Sequence, residues 1–544
     1  MRKGIKILAK VLSTIVLLLI FLPISATLLL NIDRVQNYII DHASNYASEF
    51  LDSRVSVGSI KIDLLTKVHV HDFYVESPER DTLLYVKEVE AYIGSLNIPQ
   101  DGLCLRDVEI VGAELNLREM ENGDLTIHPI VKRLTKPNHH SNFCMYVNKV
   151  EISESRFRYE RLEHRDPEYG IDYDNMVVGD IEGKLQNFAI EQGAVAATIN
   201  ELSAREKSGF KLGNLTGNFY INRGVIRFGS IIANTDQSHI NIPSFIIDGQ
   251  NWEEYKQYID LVEMRGVVTN SRLSTFDLGF FAPNLRNWEL MADSLQGSFE
   301  GTVADFTATI ESGNLGDHTS IAGEAHIIGI PLWQESDYKV KVDRLYTTAS
   351  DVENFVYRTT GNHLPEKAQE IVRNLATADV RGTFNGKLYS FRTLGNIRTS
   401  QGNISADVDM RRVDGEHHML SGSVDTDNLH LGKILEINLL GTLDSKISAR
   451  GLVGGNNVKG SINASVGKMV LGGKPFREIT ASAKIGETSR DTLKVSSPRP
   501  ELNFNFLGSV NRRGQKPFYD FDLDLRNADL HALGINQRDS ISRL

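Results

Sequence analysis

Ile404-Ser405-Ala406-Asp407-Val408-Asp409-Met410-Arg411 alternates apolar and polar side chains without a miss. Successive side chains of an extended strand point to opposite faces, so this stretch has one dry face and one wet face, the pattern of an antiparallel sheet. The same period of two recurs in Phe504-Asn505-Phe506, Phe521-Asp522-Leu523-Asp524-Leu525, Leu115-Asn116-Leu117 and Arg156-Phe157-Arg158-Tyr159. Between such runs stand turn signals: Glu121-Asn122-Gly123-Asp124, Gly213-Asn214, Asn222-Arg223-Gly224, Gly454-Gly455-Asn456 and Gly472-Gly473. Gly, Asn and Asp at these places supply the backbone angles that hairpins need. From Val55 onward, hairpin is expected to follow hairpin. With mean strands of five or six residues, roughly 35 to 40 strands are expected. A single curled sheet of that many would run on the order of 170 to 190 Å.

The N-terminus reads differently. Arg2, Lys3, Lys6 and Lys10 precede about 22 uncharged residues, Val11 to Ile32, with Pro23 inside the run. That length crosses a bilayer of about 30 Å, and the basic residues on the near side place the N-terminus in the cytoplasm and the bulk beyond the inner membrane. The run is longer than a signal-peptide core, and Ile24-Ser25-Ala26 is a poor cleavage site, which predicts an uncleaved single-pass anchor over residues 1–32. Asp33 to Asp52 then places Val35, Tyr38, Ile39, Ala43, Tyr46, Ala47, Phe50 and Leu51 at spacings of three and four, an amphipathic helix that caps the β body beyond it, with the segment ending near residue 53. Residues 54–544 form one elongated β body with two helical inserts. One is 252–259, with Tyr255 and Ile259 on one face. The other is 365–375, where Pro365 opens the first turn and Ala368, Ile371, Val372 and Leu375 face inward.

A net charge of -11, spread along the chain, argues against nucleic acid as a partner, because phosphate binding needs a concentrated basic face. Mean hydropathy of -0.23 excludes a multi-span membrane protein. The two cysteines, Cys104 and Cys144, form one bridge or stay apart, and two buried thiols are the favoured reading. An apolar sheet face must be covered by a second sheet, by barrel closure or by something other than protein. Without linkers between domains, a trough lined by apolar side chains and begun at a membrane anchor is the reading that gives the anchor a purpose. Its lining is expected from Ile60, Ile62, Val68 and Val70 near the membrane, from Leu115 and Leu117, from Ile404, Ala406, Val408 and Met410, and from Phe504, Phe506, Phe521, Leu523 and Leu525.

The segment Val55-Ser56-Val57-Gly58-Ser59-Ile60-Lys61-Ile62-Asp63-Leu64, continued by Val68-His69-Val70-His71-Asp72-Phe73-Tyr74-Val75, resembles the start of the AsmA-like and TamB group of bacterial envelope proteins in their Bacteroidetes form. Further matching segments are Asp81-Thr82-Leu83-Leu84-Tyr85, Ile171-Asp172-Tyr173-Asp174, Ser271 to Leu278 with Phe281-Ala282-Pro283, Gly301-Thr302-Val303, Gly422-Ser423-Val424 and Leu429 to Leu435. The resemblance implies a mostly β, periplasmic, groove-shaped body that conducts phospholipid between inner and outer membranes. It also implies, as an alternative, a scaffold for insertion of outer-membrane β-barrel proteins with a partner barrel of the TamA or BamA type. Relatives are longer and end in a further domain, whereas this sequence stops soon after Asp529-Leu530-His531-Ala532-Leu533-Gly534.

Chemistry finds little purchase. His69 and His71 share a strand face and strand-borne histidines can bind zinc, yet a polar strand face is the commoner meaning. His139-His140 and His417-His418 are adjacent and diverge. Asp407/Asp409 and Asp522/Asp524 imitate a glycosidase pair, but both alternate with apolar residues over a whole strand, which favours a solvated outer face over a polysaccharide-cleaving solenoid. No phosphate-gripping glycine loop, nucleophile elbow, H-E-x-x-H or CxxC occurs, so neither enzymatic activity nor a cofactor is expected.

Overall fold

The computed structural model describes residues 17, 21, 24–63, 66–93, 102–130, 144–162, 167–191, 193–330, 332–454, 458–486, 490–511, 517–531 and 533. The chain is mostly β and divides into two compact units, Met1–Glu289 and Leu290–Leu544. In the first, helix α1 (Asp33–Leu51) leads into β1 (Val55–Ser56), β2 (Ser59–Asp63), β3 (Lys67–Glu76), β4 (Thr82–Ile93), β5 (Gly102–Arg118), β6 (Cys144–Glu160), β7 (Asn175–Glu191), β8 (Ala194–Glu206), β9 (Lys211–Asn222), β10 (Val225–Thr235) and β11 (His239–Asp248). A 3-10 turn (Trp252–Gln257), helix α2 (Tyr258–Leu261), β12 (Glu263–Ser274), helix α3 (Thr275–Leu278) and a second 3-10 turn (Pro283–Trp288) complete it. Strands pair in chain order, with β1 and β2 both laid against β3.

The second unit holds β13 (Met291–Gly301), β14 (Asp305–Leu315), β15 (Thr319–Ile328), β16 (Asp337–Thr348), helices α4 (Ala349–Thr360) and α5 (Glu366–Leu375), β17 (Thr377–Lys387), β18 (Ser390–Thr399), β19 (Gly402–Arg412) and β20 (His418–His430). Helix α6 (Leu431–Leu435), β21 (Leu440–Val453), β22 (Lys459–Leu471), β23 (Lys474–Ile485), β24 (Arg490–Arg499), β25 (Leu502–Asn511) and β26 (Phe518–Ala528) follow. Every neighbouring pair from β13 to β26 is antiparallel and consecutive. In each unit the close backbone neighbours of a strand are its lateral partners in the ladder.

Three expectations are corrected. Among the described residues there are 26 strands rather than 35 to 40, because most run 10 to 17 residues. Asp72, Glu154, Asp180, Ser230, Asn270, Ser294, Asn428 and Glu478 lie inside strands with positive φ, and at Glu154, Asp180, Ser230, Ser294 and Asn428 a register shift marks a β-bulge that the ladder runs through. A bulge inserts one residue, bends the strand and shifts the alternation by one without ending the ladder. Second, β5 and β6 pair in parallel; the connection 119–143 is long enough to return the chain to the starting end, which a hairpin cannot do. Third, Tyr38 and Tyr46 of α1 are exposed at 66% and 71%, while Ala47 and Leu51 make the packing contact. Helix α5 carries Ala368, Ile371, Val372 and Leu375 half-buried, as its spacing predicts, packed toward α4 and α6 with Pro365 as its N-cap. Residues 24–30 are helical, but most of the expected anchor lies outside the described residues, as do His139, His140, Gly455, Asn456 and Gly534. Among the described residues no helix is long and apolar enough to cross a membrane.

Bulges open backbone groups, and buried hydroxyls close them. Ser155 is 5% exposed; its Oγ accepts the Ala113 N–H at 3.1 Å and donates to the Ser153 carbonyl at 2.9 Å. Ser271 Oγ accepts the Asn241 N–H at 2.8 Å, and Thr426 Oγ1 accepts the Ser445 N–H at 3.1 Å. Ser155→Ala leaves the Ala113 N–H buried without a partner, which costs about 1–3 kcal/mol. The expected outcome is a lower urea midpoint and faster hydrogen exchange over 108–118, and an unchanged midpoint would show that the hydroxyl is dispensable.

Candidate functional site

Register decides which side chains share a face. In the second unit the residues opposite Val408 form an unbroken row across the sheet. Toward β13 it runs through Thr393, Phe384, Val340, Ala325, Ala308 and Phe299. Toward β26 it runs through Gly422, Ala449, Ile462, Ala483, Leu493, Gly508 and Phe521. Thr393 is the one hydroxyl in it. The row one residue away, through Asp409, contains Glu300, Thr307, His326, Lys339, Asn385 and Arg392 on one side and Ser421, Arg450, Ser461, Lys484, Thr492, Ser509 and Asp520 on the other. Every member of that row is polar.

The expected lining residues of this unit all fall on the apolar face. Ile404, Ala406, Val408 and Met410 are half-buried, as are Phe504 and Phe506, and Phe521, Leu523 and Leu525 are exposed at 66%, 59% and 42%. Phe504 and Phe506 stand opposite Leu525 and Leu523. Cross-strand aromatic pairs reinforce the face: Phe384 with Phe391 at 4.8 Å, Phe299 with Phe306 at 5.9 Å and Phe506 with Phe521 at 6.0 Å. Phe299, Phe306, Phe384 and Phe391 were not among the expected residues; a glycine or polar residue interrupts each local pattern, and only their cross-strand partners place them. The fully buried apolar side chains of this unit gather instead near strand ends, at Leu429, Ile434, Leu443, Ala528 and Leu533. A shallow hollow of about 680 Å³ lies among Ser448, Ser465, Thr480, Ser482, Ser496, Lys446 and Lys494, with Ile447, Ala464 and Ala481 also in its lining.

In the first unit Ile60 and Ile62 stand opposite Val70 and Val68, and Leu115 opposite Leu84 and Phe157. All are half-buried. Leu117 is different: it packs with Leu84, Ile127 and Ala47 around the buried Val55, Val75, Leu83 and Ile130, so protein covers it. The segments around Ile171 and Phe281 meet. The Ile171 N–H donates to the Phe280 carbonyl at 2.7 Å, Tyr169 and Phe210 pack on Phe280, and a Cβ on Gly170 would stand 2.6 Å from that carbonyl oxygen. Asp277, 5% exposed, accepts from Thr235 Oγ1 and Ser238 Oγ at 2.6 Å each and from the Gln237 N–H at 3.1 Å. Burial pushes the Asp172 carboxyl up, but the Lys207 ammonium at 2.9 Å and the N–H groups of Asn175 and Asp174 outweigh it and leave it below the ordinary carboxylate range. These are packing devices.

The histidine pair gains partners. His69 lies opposite Glu90 and His71 opposite Glu88, and donor atoms of His69, Glu88 and Glu90 come within 4.8 Å of one another. Both ring nitrogens of His69 are engaged, by Glu90 at 2.8 Å and Asp63 at 3.0 Å, and Lys67 Nζ sits 2.5 Å from Glu90. A resident ammonium on one of three donors makes this an ion-pair network, not an open cation site. Asp407 pairs with Arg392 at 2.9 Å and Asp409 with Arg411 at 2.9 Å, as solvated links on the wet face. Cys104 and Cys144 are free and half-buried. Cys104 faces Tyr146 and Cys144 faces Gly102, a two-residue offset that puts their Cα atoms about 8 Å apart, beyond disulfide reach. No family model, characterised protein or solved structure matches this chain.

Lys67 holds Glu90 below the usual carboxylate range, against the opposing pull of desolvation. A carboxylate with a lowered native pKa contributes stability above its unfolded value of about 4.3 and loses it as pH falls through the native value. Urea midpoints measured from pH 7 to pH 3 should therefore fall more steeply for the parent than for Glu90→Gln; equal slopes would show that the pair contributes nothing.

Proposed function

We propose that this protein is a lipid conduit: an inner-membrane-anchored periplasmic body whose uncovered apolar face carries phospholipid acyl chains between inner and outer membranes, with headgroups in water. The observation that carries the reading is the apolar row through Val408, which crosses every strand of the second unit beside a wholly polar row. A face this continuous loses about 25 cal/mol per Å² for the apolar area it leaves in water, and contiguous apolar surface of this kind marks a binding surface. The row has no charged member and a single hydroxyl, so it offers acyl chains contact without polar hooks and supports sliding over capture. The Val11–Ile32 run and the resemblance to AsmA-like and TamB proteins support the same reading, in which the protein acts in outer-membrane biogenesis without a catalytic residue.

Val408 and Asp409 are adjacent and face opposite ways, which makes them a matched pair for in-cell photocrosslinking. A photoreactive residue at 408 should capture phospholipid and one at 409 should not, as read by mass analysis of the adducts. Val408→Asp should stop lipid transfer while leaving far-UV circular dichroism unchanged, and Asp409→Lys should leave transfer intact. Protein adducts at both positions with no lipid, or undiminished transfer by Val408→Asp, would overturn the conduit.

A further inference from the structure

The polar face of the second unit changes character between β20 and β24. Three polar rows cross these strands in register, beginning at Ser421, Ser423 and Asp425. Their cations are Arg450, Lys484, Lys494 and Lys446, Asp425 is the one anion, and every other member is serine, threonine or asparagine. On β18 and β19 the same face matches its charges, with Asp407 on Arg392 and Asp409 on Arg411 at 2.9 Å each. Here Lys446 reaches Asp425 at 3.6 Å, while Arg450, Lys484 and Lys494 have no ion-pair partner among the described residues. All four cations are exposed. In a chain of net charge -11, this is a local surplus of positive charge.

The cations stand around the shallow hollow. Lys446 and Lys494 belong to its lining, with Ser448, Asn463, Ser465 and Ser482 between them. Arg450 and Lys484 lie one row beyond, in register with each other through Ser461. From the strand spacing, Arg450 and Lys484 are about 10 Å apart and Lys446 and Lys494 about 16 Å. Such spacing is too wide for one small anion and fits an extended ligand with several charges. The hydroxyl and amide groups between the cations both donate and accept hydrogen bonds, so the ligand should do the same along its length. No aromatic side chain stands in the three rows, whereas single-stranded nucleic acid asks for rings on which bases stack and a bilayer interface for aromatic anchors. Asp520, Asp522 and Asp524 stand on β26, two strands beyond β24. Their charge confines an anion to β21–β24.

We propose that this patch binds an acidic oligosaccharide, a chain of hydroxylated sugars bearing carboxylates. It lies across β21 to β24 with its hydroxyls on Ser448, Asn463, Ser465 and Ser482 and its carboxylates on the four surrounding cations. Hydrogen bonds between ionised partners are the strong ones, and the Arg450 guanidinium can take a carboxylate with two parallel N–H groups. The patch occupies the face opposite the Val408 row, so it is independent of whether lipid travels there.

The test uses the full chain and tetragalacturonate, with maltotetraose as the uncharged sugar of equal length. Isothermal titration should show tetragalacturonate binding at least about tenfold more tightly than maltotetraose, and added salt should weaken it. Lys484→Glu and, as a second variant, Lys494→Glu should each weaken binding at least about fivefold with circular dichroism unchanged. Asn463→Leu, which leaves every cation in place, should weaken it as well. Lys339→Glu, on the same polar face at β16, should not. Absence of tetragalacturonate binding, equal binding of the two sugars, or an equal loss in Lys339→Glu would overturn the proposal. Indifference to Asn463→Leu would overturn it in favour of unselective attraction of polyanions, and tighter capture of phosphatidylglycerol vesicles than of the sugar would overturn it in favour of a membrane surface.

Discussion

Backbone pairing between neighbouring strands is the constraint on which the rest of this molecule depends. Because side chains alternate with a period of two, a slip of one residue between any two strands would move a whole apolar row to the wet face. Register across β13 to β26 carries Phe299 to Phe521 on one side and Glu300 to Asp520 on the other without such a slip. Ordinary domains reach this fidelity by pressing the dry face onto a second layer. Here the apolar side chains of the row are half-buried or, at Ile462, Leu493 and Phe521, exposed, so lateral hydrogen bonds and cross-strand contacts such as Phe384 on Phe391 carry the specification.

The bulges make that fidelity compatible with curvature. A strand of 17 residues such as β6 or β7 would be straighter and stiffer without its extra residue. Asp72, Glu154 and Asp180 take positive φ, where aspartate and asparagine are the least strained of the side-chain-bearing residues and glutamate gains no such advantage. The cost is a freed N–H, and a buried serine closes it at Ala113 and Asn241 and the half-buried Thr426 at Ser445. Buried hydroxyls in this protein are therefore part of the ladder.

This division explains what could be read from the sequence. Uninterrupted alternation placed Ile404 to Met410, Phe504, Phe506 and Phe521 to Leu525 on one face correctly, and spacings of three and four found α1 and α5. Strand number was overestimated because mean strands of five or six residues were expected, whereas most here run 10 to 17 residues. Leu117 reads like Leu115 in the sequence and differs because it packs against the buried cluster of Val55, Val75, Leu83 and Ile130, which Ala47, Leu51 and Ile127 also join, a long-range assembly that no local pattern encodes. The parallel pairing of β5 with β6 and the clamp of Asn31 on Ile62 were illegible for the same reason.

The recognisable motifs and the apolar face answer to different physics. Ile171-Asp172 and Ser274 to Pro283 meet in a packed cap in which Gly170 has no room for a side chain, Asp277 is saturated with donors and Arg286 lies 3.5 Å from the centre of the Tyr169 ring. Such contacts demand particular residues. The row through Val408 demands less: at its Ile, Leu, Val and Phe positions it asks for an apolar side chain, whereas Gly422 has no room for one, a Cβ there standing 2.3 Å from the Asp407 carbonyl oxygen. A surface specified by period alone leaves almost no distinctive residue string, whereas its caps do. The apolar face is for that reason the part whose sequence says least, and its reading rests on register, where a single charge in the row would be felt across every strand that shares it.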